Sequence, residues 1–154
     1  MKRKILARLA DLGLELPSAP PPAANYSPYC IIGDIVYVSG QLPIESGSLI
    51  EGKIGDDADL EQGRRAAAAC AINLLAQVQA ACDGDIENLA RVVKLTGFVN
   101  ATADFRDHPK VINGASDLLV EILGDAGRHC RSAVGVASLP FNATVEIEGI
   151  FQIV

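Results

Sequence analysis

The stretch Cys130–Val154, CRSAVGVASLPFNATVEIEGIFQIV, constrains this chain more than any other. Two apolar runs of strand length flank a Leu-Pro-Phe-Asn turn signal, and that spacing predicts a β-hairpin. Successive side chains of a strand point to opposite faces. Arg131, Ala133, Gly135 and Ala137 therefore share one face of the first run, with Ser132, Val134 and Val136 on the other. A face that is small apart from one arginine predicts a recess with a cation at its rim. In the second run Val145, Ile147, Gly149, Phe151 and Ile153 make an apolar face, and Glu146 and Glu148 point away from it. The hairpin is thus expected to offer a cation and a carboxylate while its remaining positions fill a core. Spacing alone also allows a plainer role. An arginine at a strand end is commonly ion-paired at the surface, and two glutamates on one face are commonly its solvated side.

Upstream, Lys4 to Leu14 places Ile5, Leu6, Leu9 and Leu12 on one stripe, which predicts a short amphipathic helix ended by Gly13 and Pro17. Pro17 to Ala24 is proline-rich and reads as an extended connector. Tyr26 to Gly40 holds two β-like runs around Gly33-Asp34, a second hairpin signal. Its second run delivers Ser39-Gly40-Gln41, where the glycine lets a partner or ligand approach closely. Residues 43–57 read as loop, with a short strand near Leu49-Ile50. Asp59 to Ala81 predicts a long helix capped by Asp59, with an alanine face suited to lying on a sheet. Asp83-Gly84-Asp85 breaks it, and Ile86 to Ala90 reads as a short turn. Val92 to Val99 reads as a strand, with Val93, Leu95 and Gly97 opposite Val92, Lys94, Thr96 and Phe98. Pro109 to Leu123 predicts a second long helix, with an apolar stripe of Val111, Ile112, Ala115, Leu118, Leu119 and Ile122 and a stop at Gly124. Strands, helix, strand, helix, strands is an α+β order, with two helices on one face of a sheet and an N-terminal helix added.

Composition bounds the function. With 154 residues and 49% hydrophobic content, the chain suits one compact domain over residues 1–154 with an aliphatic core. Its net charge of -6 argues against a general nucleic-acid binder, which needs a basic patch to neutralise phosphates. Cys30, Cys70, Cys82 and Cys130 form no CxxC pair and read as reduced thiols. Arg8, Asp11 and Glu15 interrupt the apolar residues of the N-terminus, and no run is long enough to span a bilayer. The expectation is a cytoplasmic chain with no membrane partner, in which the N-x-S/T triplets at Asn25, Asn100 and Asn142 are chance matches. No ligand spacing joins His108, His129 and the cysteines into a zinc site. His129 and Cys130, adjacent on a strand, point apart and do not form a nucleophile pair.

Four separated blocks carry a resemblance: VYVSGQLP, KVINGASDLL, RSAVGVASLP and VEIEGIF. In this order, across nearly the whole chain, they are similar to the YjgF/YER057c/UK114 family, also called the Rid family. The N-terminal helix and the GRRAAAACAINLLAQ block resemble its longer branch. The resemblance implies a chorismate-mutase-like architecture, a mixed β-sheet with two helices packed on one face. It also implies a homotrimer with ligand clefts between subunits, and no metal or organic cofactor. Residue by residue it implies that Arg131 grips a substrate carboxylate and that Glu146 positions the attacking water, with Glu148 a competing candidate on the same face. Tyr26, Ser39, Gly40 and Asn113 match positions that line the family's cleft. One position departs: the family often has cysteine two residues after the arginine, and here it is Ala133, which leaves only its backbone N–H to donate.

The activity implied is hydrolysis of reactive enamines or imines of amino acids, such as 2-aminoacrylate, to 2-keto acids and ammonia. Two other readings stand beside it. The cleft of Arg131 equally suits a module that binds a small carboxylate, such as a 2-keto acid, without turnover. The endoribonuclease L-PSP label attached to some relatives fits poorly with an acidic chain that has few aromatics for base stacking.

Overall fold

The computed structural model describes residues 5–19 and 24–154. Lys4, at the start of the predicted helix, and 20–23 of the predicted connector lie outside them. The N-terminal helix α1 (Ile5–Asp11) is shorter than its stripe suggested. Ile5 and Leu9 are buried, Leu12 packs partly on the core, and Leu6 is exposed. Strands β1 (Tyr29–Ile32) and β2 (Ile35–Gln41) form the hairpin expected at Gly33-Asp34, with Gly33 at φ 63°. A two-strand ribbon follows, β3 (Ile44–Glu45) and β4 (Ser48–Leu49).

Helix α2 (Leu60–Ala81) begins as its cap predicted: the Asp59 carboxylate accepts from the Gln62 N–H at 2.8 Å. A turn at Ile86–Asn88 leads into β5 (Leu89–Asn100). Helix α3 (His108–Leu123) has Pro109 in its first turn and ends at Gly124, φ 64°. Strands β6 (Cys130–Val136) and β7 (Val145–Ile153) complete the chain. The mixed sheet has the order β1-β2-β7-β5-β6, and α2 and α3 cover one of its faces. This is the α+β, chorismate-mutase-like arrangement. Among the described residues, no helix is long and apolar enough to cross a membrane.

Two sequence readings are corrected. The C-terminal runs do not pair as a hairpin: β5 lies between them, parallel to β6 and antiparallel to β7. Hairpin loops hold about two to five residues, whereas β6 ends at Val136 and β7 begins at Val145, enough chain to step over one strand. The crossing is tied down where it passes the end of β5. The Asn100 amide, fully buried there, donates to Asn142 Oδ1 at 3.0 Å and to the Ala143 carbonyl at 3.1 Å. Phe141 and Asn142 take φ of 57° and 59° to make the corner. The second correction concerns Val92. A register shift between Val92 and Lys94 inserts a β-bulge, so Val92 joins Leu95, Gly97 and Val99 in the core instead of facing outward with Lys94.

The core lies between this sheet face and the helices. Val36, Val38, Leu95, Val99, Val145, Ile147 and Phe151 meet Ala67, Cys70, Ala71, Leu74 and Ile112. The opposite face carries Tyr37 and Ile32, 43% and 66% exposed, and Val134, 45% exposed, beside Glu146 and Glu148. These side chains put exposed apolar surface on the face that the helices leave open.

Candidate functional site

The parity read from sequence holds in space, and the sheet order separates what it put together. Arg131 lies opposite Leu95 and Ala133 opposite Gly97, both on the helix-covered face. Glu146 lies opposite Phe98 and Glu148 opposite Thr96, on the other face. Adjacent strands are about 4.8 Å apart, so β6 and β7, with β5 between, stand about 10 Å apart. Within one chain the Arg131 and Glu146 side chains therefore do not converge. They lie in separate surroundings on opposite faces of the sheet.

Arg131 sits where the edge strand β6 meets α3. The half-buried Arg131 guanidinium donates from Nη1 to Ser116 Oγ at 3.0 Å and from Nη2 to the Pro109 carbonyl at 3.3 Å. Asn113 is four residues after Pro109 and three before Ser116, so helical spacing stacks all three on one stripe alongside the guanidinium. Ala133 and Gly135 follow Arg131 on the same face. Gly135 leaves the room that the His108 imidazole occupies, since a Cβ there would collide with His108 Nε2. Among the described residues, no carboxylate lies within ion-pair distance of Arg131. A guanidinium has five N–H donors. Two are used within the chain, and enough remain for a forked grip on a carboxylate.

The surroundings of Glu146 are built on β2 and β7. A register shift between Val38 and Gln41 bulges Ser39 and Gly40 out of the ladder. A side chain at position 40 would strike the Glu146 carboxylate, so the glycine predicted to permit close approach permits this one. Ser39 Oγ donates to the Ser27 carbonyl at 2.8 Å, and Ser39 N–H to the Pro28 carbonyl at 2.9 Å. These bonds hold the Tyr26–Pro28 segment beside the bulge and leave Tyr26, 55% exposed, free at its edge.

Burial pushes the Glu146 carboxyl above the ordinary glutamate range, and the neighbouring Glu148 adds to the rise. Glu148 itself is exposed, so of the two carboxylates Glu146 has the environment of an acid–base group. The folded state therefore holds a proton on Glu146 more readily than the unfolded chain does, and keeping Glu146 charged costs stability at neutral pH. Glu146→Gln is expected to raise Tm slightly at pH 7.5. The gain should fade as pH falls through the raised value and vanish below about 4, where both states are protonated. Tm measured at the two pH values checks this.

The histidine and cysteines are separated as strand parity required. Cys130 is exposed on the open face, while His129 turns to α3. Burial pushes the Cys70 thiol well up, an inert core group under β7. Sequence reading missed Ser116 and His129 as neighbours of Arg131, and His108 as the neighbour of Gly135. The three-residue step from Asn113 to Ser116 was the one available signal.

Comparison with known proteins fits this architecture. The family profile described as "YjgF/chorismate_mutase-like, putative endoribonuclease" matches residues 6–151. Protein TCP17 of Trypanosoma cruzi is 43% identical over 97% of this chain and 94% of its own. A 2-iminobutanoate/2-iminopropanoate deaminase of Dermatophagoides farinae is 30% identical over 91% of this chain and 94% of its own. Among solved structures, Atu1372 of Agrobacterium tumefaciens, titled as of unknown function, superposes with a TM-score of 0.90 at 51% identity, covering 97% of this chain and 94% of that one. E. coli TdcF with bound serine superposes with a TM-score of 0.62 at 25% identity, covering 88% and 94%. The chain belongs to the YjgF/chorismate-mutase-like family, whose relatives also include the RutC proteins.

Proposed function

We propose that this protein hydrolyses small 2-imino acids, formed from enamines such as 2-aminoacrylate, to 2-keto acids and ammonia. We place the reaction in a cleft assembled between subunits of a homotrimer. The observation that carries the reading is the Arg131 guanidinium, held by α3 at a sheet edge with donors to spare and, among the described residues, no carboxylate partner. An arginine so placed suits an incoming carboxylate better than any group of its own chain. The separation of Arg131 and Glu146 within one chain favours a cleft in which the Glu146 side of one subunit faces the Arg131 side of its neighbour, and the homotrimer is what the family resemblance implies. The exposed Tyr37, Ile32 and Val134 supply apolar surface for that assembly.

In the assembled cleft, Arg131 pins the carboxylate and leaves the C=N carbon facing Glu146. The Glu146 carboxylate takes a proton from water as the water oxygen bonds to that carbon, and passes that proton to the imine nitrogen. The resulting tetrahedral aminoalcohol expels ammonia as the C–N bond breaks and the C=O forms, with the hydroxyl proton returning through Glu146. A carboxyl with a raised pKa serves both transfers better than an ordinary one. Ala133 contributes no thiol, so the chemistry runs without one at that position. Much of the gain comes from holding water and imine in register.

The deaminase among the relatives, and the serine bound in TdcF, a small amino-acid carboxylate, both favour this substrate class. The net charge of -6 weighs against the ribonuclease reading. The test is ammonia release from freshly generated 2-aminoacrylate, measured against the uncatalysed rate. Binding of pyruvate with no acceleration would instead favour a carboxylate-binding module.

A further inference from the structure

We infer that Ser116 and His129 are positioning residues that aim the Arg131 guanidinium through a directed chain of hydrogen bonds. The inference rests on the carboxylate-gripping role of Arg131. His129 Nδ1 lies 2.6 Å from the Gly127 carbonyl, which only accepts, so Nδ1 carries the proton and donates. In a neutral imidazole that leaves Nε2 as an acceptor. Its neighbour at 2.9 Å is Ser116 Oγ, which must then donate its one proton to Nε2. With its proton committed, Ser116 Oγ turns lone pairs toward Arg131 Nη1 at 3.0 Å. The Pro109 carbonyl takes Nη2 at 3.3 Å, so two acceptors on one helix set the plane of the guanidinium.

Each link depends on the one before it, and the chain has a sense: Arg131 to Ser116 to His129 to Gly127. The surroundings keep His129 neutral. Burial lowers its pKa most and the Arg131 charge lowers it further, while the Gly127 carbonyl pulls the other way. Other charges lie farther off. Arg128 and Asp125 pair with each other on the preceding turn at 3.4 Å, and Lys94 lies opposite Cys130 on the far face of the sheet. Protonating His129 would put a proton on Nε2, aim it at Ser116 Oγ, and set a second positive charge beside the guanidinium.

The experiment measures pyruvate affinity by calorimetry across pH, and the side-chain N–H signals of Arg131 by NMR without ligand. Ser116→Ala is expected to weaken pyruvate binding about tenfold, the worth of one hydrogen bond to a charged group. Ser116→Thr, which keeps the hydroxyl, should restore it. In turnover the change should appear in KM with kcat nearly unchanged. Wild-type affinity should fall as acid protonates His129, which burial holds below the ordinary histidine range. His129→Gln, which cannot charge, should lose that part of the fall, whatever its affinity at pH 7.5. Slow guanidinium rotation should give separate, sharp Nη signals in wild type that collapse in Ser116→Ala. Unchanged pyruvate affinity and unchanged Arg131 signals in Ser116→Ala would overturn the inference. If wild type binds no pyruvate, the carboxylate role of Arg131 fails instead, and the NMR comparison still decides whether Ser116 orders the guanidinium.

Discussion

Arg131→Ala is expected to lower kcat/KM for 2-imino acids by about a hundredfold to ten-thousandfold while leaving Tm nearly unchanged. The side chain is half-buried and makes no ion pair among the described residues, so its removal takes little from the fold. A carboxylate held by two charge-assisted hydrogen bonds gains about 1.5–3 kcal/mol from each, and each 1.36 kcal/mol is a factor of ten. Arg131→Lys should recover only part of the loss. An ammonium is a point donor that reproduces neither the fork nor the two simultaneous anchors on Ser116 and Pro109. Steady-state kinetics alongside thermal unfolding separates the effects. A large fall in Tm would make Arg131 a structural residue.

The second large effect concerns the helix behind the site. Gly114 lies where α3 crosses α2, and a Cβ there would collide with the backbone carbonyl of Arg64. Helix propensity alone favours Gly114→Ala by about 1 kcal/mol. The clash acts in the other direction and is harder to relieve, because the obstacle is backbone that the rest of α2 holds in place. Gly114→Val is therefore expected to cost about 3 kcal/mol, a fall in Tm of about 10 °C for a chain of this size. Affinity for pyruvate should fall with it, since α3 brings the Pro109 carbonyl, Asn113 and Ser116 to Arg131. Gly114→Ala should move both quantities in the same direction by less. A stabilised Gly114→Ala would mean that the helices separate freely and that α3 does not hold the site in place.

How far the sequence led can be judged at particular residues. Strand parity placed Arg131 with Ala133 and Gly135, and set Glu146 on the far side of its own strand from Phe151, because both follow from a two-residue repeat inside one strand. It could not show that β5 separates those strands, since strand order depends on contacts between distant segments and the Leu-Pro-Phe-Asn signal marks a turn without giving its span. Val92 was misplaced for a related reason: a bulge breaks the alternation, and no residue type near Val93 announces it. Helix ends were legible where capping chemistry was local, as at Asp59 and Gly124. Ser116 and His129 were not legible as partners of Arg131, because their meeting depends on how α3 is set against β6. Gly40 was read as a place of close approach, and only the fold identified Glu146 as the group that approaches.

The guanidinium and the carboxylate acting on one substrate are expected to come from different subunits. Arg131→Ala and Glu146→Gln chains, each inactive alone, can be denatured together and refolded so that subunits assemble at random. An intact pair then forms at about one seam in four, and the mixture should regain about a quarter of the wild-type rate in particles three times the mass of the chain. Activity no greater than that of the two variants refolded separately would contradict the account, because it would place both groups in the same subunit or neither in the reaction.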